Sequence, residues 1–284
     1  MMGSKGFAKD VGDLLRVGRN FHLGDVDPAA TPGFSGDKAE GKVHLARRDI
    51  VLAEYQERLY AAGRDGDAPS VLLILQAMDT AGKGGIVSHV VGGVDVQGVQ
   101  LKAFKAPTDE EKQHDFLWRV ERELPGPGML GVFDRSHYEE VLIHRVHGWA
   151  DAATIQRRYR EIRDFEQAVA ARGTTIVKVM LHISKEEQKR RLLARLEDPV
   201  KRWKYNPGDV DERQHWGAYM DAYQKAIDVT STPWAPWHVV PADRKWYARI
   251  AVLELLIDAF KSITPDWPEP SYSLERERAR VLAS

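Results

Sequence analysis

Residues Leu72–Gly85, LLILQAMDTAGKGG, decide how this chain is read. An apolar run ends in a short loop of small residues, and a lysine follows. The pattern G-x-x-x-x-G-K-[ST], placed between a buried strand and a helix, is a phosphate cradle. This stretch keeps Gly82 and Lys83, but Ala77 stands at the first glycine position and Gly84 at that of the metal-binding hydroxyl. An ordinary glycine-rich turn is the competing reading; Lys83 and the placement argue against it. Successive backbone N–H groups at such a turn form an anion-binding concavity, reinforced by the helix N-terminus. Gly82 and Gly84 let a phosphate approach the backbone, and Lys83 adds a point charge.

The missing hydroxyl has a replacement in Asp79. A carboxylate inside a phosphate loop repels its ligand unless a cation lies between them, and Mg²⁺ favours carboxylate and phosphate oxygens together. A second carboxylate is expected from another strand end. Asp134 in MLGVFDRSHYEE fits, because an apolar strand ending in Asp is the Walker B arrangement. A lone Asp there is more often a helix N-cap; with Asp79 and Lys83 beside it, the metal-site reading wins. Arg135 either faces the same crevice or pairs with an acid at the surface. His137, Glu140 and His144 share a helical face without HExxH spacing, so a structural role is expected.

Around this stretch, apolar runs alternate with helical periodicity. Strands are expected at 71–76, 99–104, 129–133, 175–183 and 237–241, and helices at 83–92, 108–123, 136–147, 151–172, 184–197, 211–230 and 244–262. Strands separated by helices pair in parallel through right-handed crossovers, giving a sheet covered on both faces. Ligands then bind at the carboxyl ends of the strands, where Asp79, Asp134 and Lys105 all fall. Residues 1–48 are expected to form an N-terminal arm, extended from residue 19, with a catalytic domain at 49–264 and a tail at 265–284.

After the fourth strand comes HISKEEQKRRLLARLEDPVKRWKYNPGD. Ser184 and Glu187 have capping-box spacing. Between residues 185 and 204 eight Lys or Arg face four acids. A solvated basic face is the plain reading. The segment nonetheless leaves a strand's carboxyl end in a protein of net charge −1, so we read residues 185–210 as a phosphate-gripping lid. Arg191 and Arg195 lie one turn apart, and Arg190, Lys201, Arg202 and Lys204 are further phosphate-binding candidates. Arginines there can hold phosphate oxygens bidentately. Thr108 and Glu111 offer another capping box. The tryptophans of STPWAPWHVVPADRKWY are read as core rather than as a base-stacking site.

The chain has 284 residues, 43% hydrophobic and 29% charged, enough for a sizeable core. Near-neutral charge argues against nucleic acid or a membrane surface as a partner. With no cysteine, disulfides and thiolate metal sites are excluded. There is no apolar signal core or membrane-length run, so a cytoplasmic protein is expected.

The motifs MDTAGKGG, AFKAPTDEE, DFLWRVERELP, FDRSHYEEVL, ISKEEQKRRLLARLEDPVKRWK and STPWAPWHVVPADRKWY, in this order, resemble the polyphosphate kinase 2 family. The similarity runs from about Gly24 to Leu255. It implies a three-layer α/β/α, P-loop kinase-like fold with a parallel five-stranded sheet and a helical lid. It also implies reversible, Mg²⁺-dependent phosphoryl transfer between inorganic polyphosphate and nucleotides, with Mn²⁺ as a substitute metal. By motif position Asp79 and Asp134 match the family's metal carboxylates, Lys83 its loop lysine, Arg135 the arginine after the Walker B Asp, and Arg191 and Arg195 its lid arginines. The wording looks most like the branch acting on AMP and ADP, with GMP and GDP as further acceptors; a homo-oligomer, dimer or tetramer, is expected. Two alternatives stand beside this reading: an ATP-dependent nucleotide kinase of thymidylate kinase type, and a nucleotide-binding regulatory module without turnover.

Overall fold

The apolar runs become five strands: β1 (Ser70–Ala77), β2 (Val99–Ala103), β3 (Leu130–Asp134), β4 (Thr174–His182) and β5 (Trp237–Pro241). The computed structural model describes residues 6–64 and 66–284; the first five residues of the expected arm lie outside the described residues. All pairings are parallel, in the order β2-β3-β1-β4-β5. β1 is central and buried along its whole length, which is why it reads as an unbroken apolar run rather than an alternating one. Each of Leu72 to Leu75, almost fully buried, contributes about 1.5–3 kcal/mol of apolar burial.

The helices are α1 (Val11–Leu15), α2 (Lys38–Gly63), α3 (Lys83–His89), α4 (Trp118–Glu121), α5 (Ile143–Val146), α6 (Ala152–Ala171), α7 (Lys185–Glu197), α8 (Gly208–Glu212), α9 (Trp216–Thr230), α10 (Lys245–Ile263) and α11 (Leu274–Ala283). α2, α3 and α10 cover one face of the sheet; α6 and α9 cover the other. The chain therefore leaves β1 toward one face and its neighbours β3 and β4 toward the opposite one. That reversal opens a crevice at the strand ends, where Leu75 is in register with Asp134 and Ala77 with Leu181. The protein is an α/β fold of three layers.

Several helical expectations need correcting. The arm is not extended to residue 48. A helix of 26 residues starts at Lys38, so the expected boundary between arm and domain falls inside it. Asp37 and Glu40 form a complete capping box at its start. Residues 108–123 do not form one helix: the Thr108–Glu111 box is made at 2.8 and 3.2 Å, but it starts only a 3₁₀ turn, and α4 is separate. Residues 136–147 likewise divide into a 3₁₀ segment and α5, and 211–230 into α8, a 3₁₀ turn and α9. The tail carries a ten-residue helix with no buried residue.

Of the tryptophans expected in the core, Trp237 is 1% exposed and its indole N–H donates to Thr230 at 2.9 Å, so it is core, whereas Trp234 is 37% exposed and is not. Lys178 of β4 is fully buried and donates to Glu166 at 2.6 Å, the Tyr138 hydroxyl and the Thr230 carbonyl. This pins β4 to α6, α9 and the turn after β3. Among the described residues no helix is long and apolar enough to cross a membrane.

Candidate active site

β1 runs as regular strand through Ala77, which pairs with Leu181, so the first glycine of the pattern has no conformational task here. The left-handed positions come later, at Thr80 (φ 63°) and Gly82 (φ 125°). Only glycine adopts the second without strain. Gly82 begins α3, and its carbonyl accepts from the N–H groups of Gly85 and Ile86. Lys83 folds back across the loop and donates to the Ala77 carbonyl at 3.1 Å. It is 9% exposed and still lines the cavity above. A side chain at Gly84 would meet nothing within 4 Å; the backbone there is open to a ligand.

That cavity, about 900 Å³, lies over the strand ends. Asp79, Asp134 and Asp209 are the carboxylates in its wall, against ten lysines and arginines. Asp79 pairs with Arg135 at 2.6 Å, and Arg135 has a left-handed backbone (φ 63°) that turns it toward the loop. Its burial opposes its charge, but the Glu139 and Asp79 carboxylates more than offset this and raise its pKa above the ordinary arginine value. Burial raises the Glu139 carboxyl above its usual range, with Arg135 and Lys83 opposing. Arg135 thus faces the crevice and pairs with an acid at once. Asp134 ends β3, and its side chain has no hydrogen bond or ion pair among the described residues.

α7 holds the loop from beside it. Ser184 caps the helix, accepting from Glu187 N at 3.1 Å. The expected capping box is only half made, because the Glu187 carboxylate turns to Arg190 and Arg191. Gln188 donates to the Asp79 carbonyl at 2.9 Å. Arg191, 4% exposed, donates to the carbonyls of Thr80 (3.1 Å), Ala81 (2.6 Å), Ala242 (2.5 Å) and Asp243 (3.0 Å), and to Glu187 (2.7 Å). A guanidinium has five N–H donors, and here all are taken. The expectation of a phosphate-gripping Arg191 is therefore corrected: it braces the loop against the end of β5, and none of its donors is left for a phosphate. Burial lowers its pKa, with Glu187 opposing, but an arginine stays charged at any ordinary pH.

The basic segment splits at Asp198. Arg195 bonds the Lys204 carbonyl at 3.0 Å and approaches Asp209 at 3.4 Å. Lys201 pairs with Asp198, and Lys204 sits over the exposed Trp203 ring. Arg195, Lys201 and Lys204 line the cavity, as do Lys105 across the opening and Arg190, which is exposed and bonded to Glu187; Arg202 donates to the Leu196 carbonyl and does not. Sequence reading missed Lys245 and Arg249, one turn apart at the start of α10. The signal was there: DRKWYAR follows the last strand's carboxyl end. His137 lies 3.3 Å from Glu166 and His144 3.5 Å from Glu140, away from the cavity wall.

Among the described residues no group of three or more His, Cys, Asp or Glu is assembled to hold a metal alone. Two carboxylates, Asp79 and Asp134, line one cavity beside a phosphate-type loop, and Thr80 in that loop has a buried hydroxyl without a partner. Hard oxygen donors in that number suit a divalent cation whose other positions are completed by phosphate and water.

A parallel α/β/α sheet, a glycine–lysine loop at its central strand and a cation-walled cleft define a phosphotransferase-type site. The chain belongs to the polyphosphate kinase 2 family, whose profile, Polyphosphate kinase 2 (PPK2), matches residues 35–267. It is an enzyme of that type. It is 43% identical to an AMP/ADP-polyphosphate phosphotransferase of Meiothermus ruber over 90% of this chain and 94% of that one. It is 45% identical to an ADP-polyphosphate phosphotransferase of Rhodopseudomonas palustris, over 91% and 95%. The crystal structure of polyphosphate kinase 2 from Arthrobacter aurescens superposes with a TM-score of 0.96 at 63% identity, covering 98% of this chain and 99% of that one.

Proposed function

We propose that the protein transfers the terminal phosphoryl group of inorganic polyphosphate, reversibly, to AMP or ADP, with GMP and GDP as further acceptors. An acceptor phosphate oxygen attacks the terminal phosphorus in line. The bond to the bridging oxygen breaks, and the shortened chain leaves with that electron pair. Lys83 and the N–H groups of the Gly82–Gly84 turn hold phosphate oxygens at the transfer point. Arg135 keeps Asp79 oriented and adds positive charge beside the crevice. Arg195, Lys201 and Lys204 cover the chain from the lid, Lys105 faces them, and Arg191 holds the loop in shape. Asp79 and Asp134 would hold Mg²⁺, or Mn²⁺ in its place, which when bound neutralises phosphate charge. Such chemistry depends mainly on positioning and electrostatic stabilisation.

One observation carries the reading: ten cationic side chains against three carboxylates in a single wall, a surplus suited to a long polyanion. The test is incubation with AMP or ADP, polyphosphate and Mg²⁺ in the absence of ATP. New ADP or ATP is expected; turnover only with ATP as donor would favour the thymidylate kinase type. A cytoplasmic location and a homo-oligomer belong to the same proposal, and light scattering on the purified protein reads the second.

A further inference from the structure

The cationic cleft does not end at α10. A second hollow of about 400 Å³ adjoins it, and the two share Arg190, Lys245 and Arg249 in their walls. Its outer wall is the first two turns of α2, with Lys38, Gly41, Lys42 and Leu45. Lys38 and Lys42, one helical turn apart and both exposed, have no ion-pair partner among the described residues. α2 has Asp37 and Glu40 at its start, but α10 opens with Arg244 and Lys245, has no acid in its first turn and lacks a side-chain cap, although the macrodipole favours acids there. Gly41 brings the two helices together, since a Cβ there would lie 2.4 Å from the Trp246 ring.

The carboxylates nearby are already committed. Asp243, the one acid in the wall, accepts from Ser184 N and Oγ, each at 2.8 Å. Glu187 binds Arg190 and Arg191. Burial first, then Arg191 and the other arginines nearby, holds the Lys245 ammonium below its ordinary value, with Glu187 opposing. The wall thus carries six lysines and arginines, of which Arg190 is paired with Glu187, against the single carboxylate of Asp243, a positive surplus that an anion relieves. Trp246 is the hollow's aromatic residue, and its ring is occupied by Gly41 and Phe34. The hollow therefore offers no slot for a base and suits a chain of phosphates.

We propose that this groove between α2 and α10 is a distal subsite for polyphosphate, so that chains long enough to reach from Lys83 past Lys245 to Lys38 and Lys42 are preferred as donors over short ones. The inference rests on the polyphosphate reading and adds to it where the chain runs and how length is sensed. Short donors fill the transfer site alone; long donors gain the contacts beyond Arg249.

The test is steady-state kinetics of the full-length protein with tripolyphosphate and with long-chain polyphosphate, in wild type and in Lys38→Gln/Lys42→Gln. Both positions are exposed on a capped helix, and thermal melting checks that the fold is kept. The double variant is expected to raise KM for the long chain about five- to tenfold, the order expected of two exposed charges facing a polyanion, with kcat unchanged. KM for tripolyphosphate should stay within twofold of wild type. The wild-type preference for long chains should shrink as salt rises. Equal changes with both donors, or none with the long one, would overturn the distal subsite while leaving polyphosphate-dependent transfer intact. A wild type inactive with either donor would remove both readings.

Discussion

Arg191→Ala separates a brace from a ligand grip, because the two roles place the loss in different states of the protein. The guanidinium fills five donor positions on carbonyls from two loops and on Glu187 while 4% exposed. Removing it leaves those carbonyls and one carboxylate short of partners, and breaking a buried charged network of this kind costs about 3–5 kcal/mol. At roughly 2–4 °C per kcal/mol for a domain of this size, Tm without ligand should fall by about 10 °C. Arg191→Lys keeps the charge but not the fork, so it should recover less than half of the loss. Activity should drop in both variants through kcat as well as KM, since the loop carrying Lys83 loses its shape. Differential scanning calorimetry without nucleotide or polyphosphate is the assay. A ligand-free Tm within 2 °C of wild type, with KM for polyphosphate raised tenfold or more, would refute the brace.

The loop itself gives a paired prediction: Gly84→Ala should keep or raise stability, because its Cβ meets open space and alanine favours a helix by roughly 1 kcal/mol, yet turnover should fall as the methyl blocks a phosphate. Gly82→Ala, at φ 125°, should instead lose about 1–3 kcal/mol of stability, read by urea unfolding. Lys83→Ala should fold and lose about 10²-fold or more in kcat/KM; near-normal kinetics would mean the loop is not the phosphate site. Asp79→Asn and Asp134→Asn should each raise the Mg²⁺ concentration needed for half-maximal rate, and the double variant should lose less than the product of the singles; multiplying effects would count against one shared cation. Burial, then Asp10 and Glu254, pushes the Asp258 carboxyl up to about 6. The folded state therefore binds this proton more tightly than the unfolded chain, and stability should decline as pH rises from about 4 through 6. Asp258→Asn should flatten that part of a Tm-against-pH curve; an unchanged slope would mean the carboxyl does not titrate there.

The sheet was legible because its central strands are buried on both faces and read as continuous apolar runs, which placed all five strands to within a residue or so. α2 escaped because its buried positions include Gly41, His44 and Gln56, which break the apolar period; the Asp37–Glu40 box was the one local cue. At Thr108 the cue was genuine and the helix absent, so a box reports a turn's start and not its length. That Asp79, Lys83 and Asp134 share one cavity at the strand ends was readable from their placement in the sequence. The engagement of Arg191 was not, since its carbonyl partners lie about 110 and 51 residues away in sequence. Lys245 and Arg249 were passed over because the neighbouring tryptophans drew the reading toward packing.

The split of the basic segment at Asp198 sets where this enzyme can be cut and rejoined. A chimera that exchanges the whole stretch from 185 would carry off Gln188 and Arg191, and with them the hydrogen bonds that shape the recipient's own phosphate loop. A graft whose junctions lie after Asp198 and before Asp209 would exchange Lys201, Trp203 and Lys204 while α7 stays with the loop it was built against. Such a graft leaves in place the hydrogen bonds from Gln188 and Arg191 to the loop.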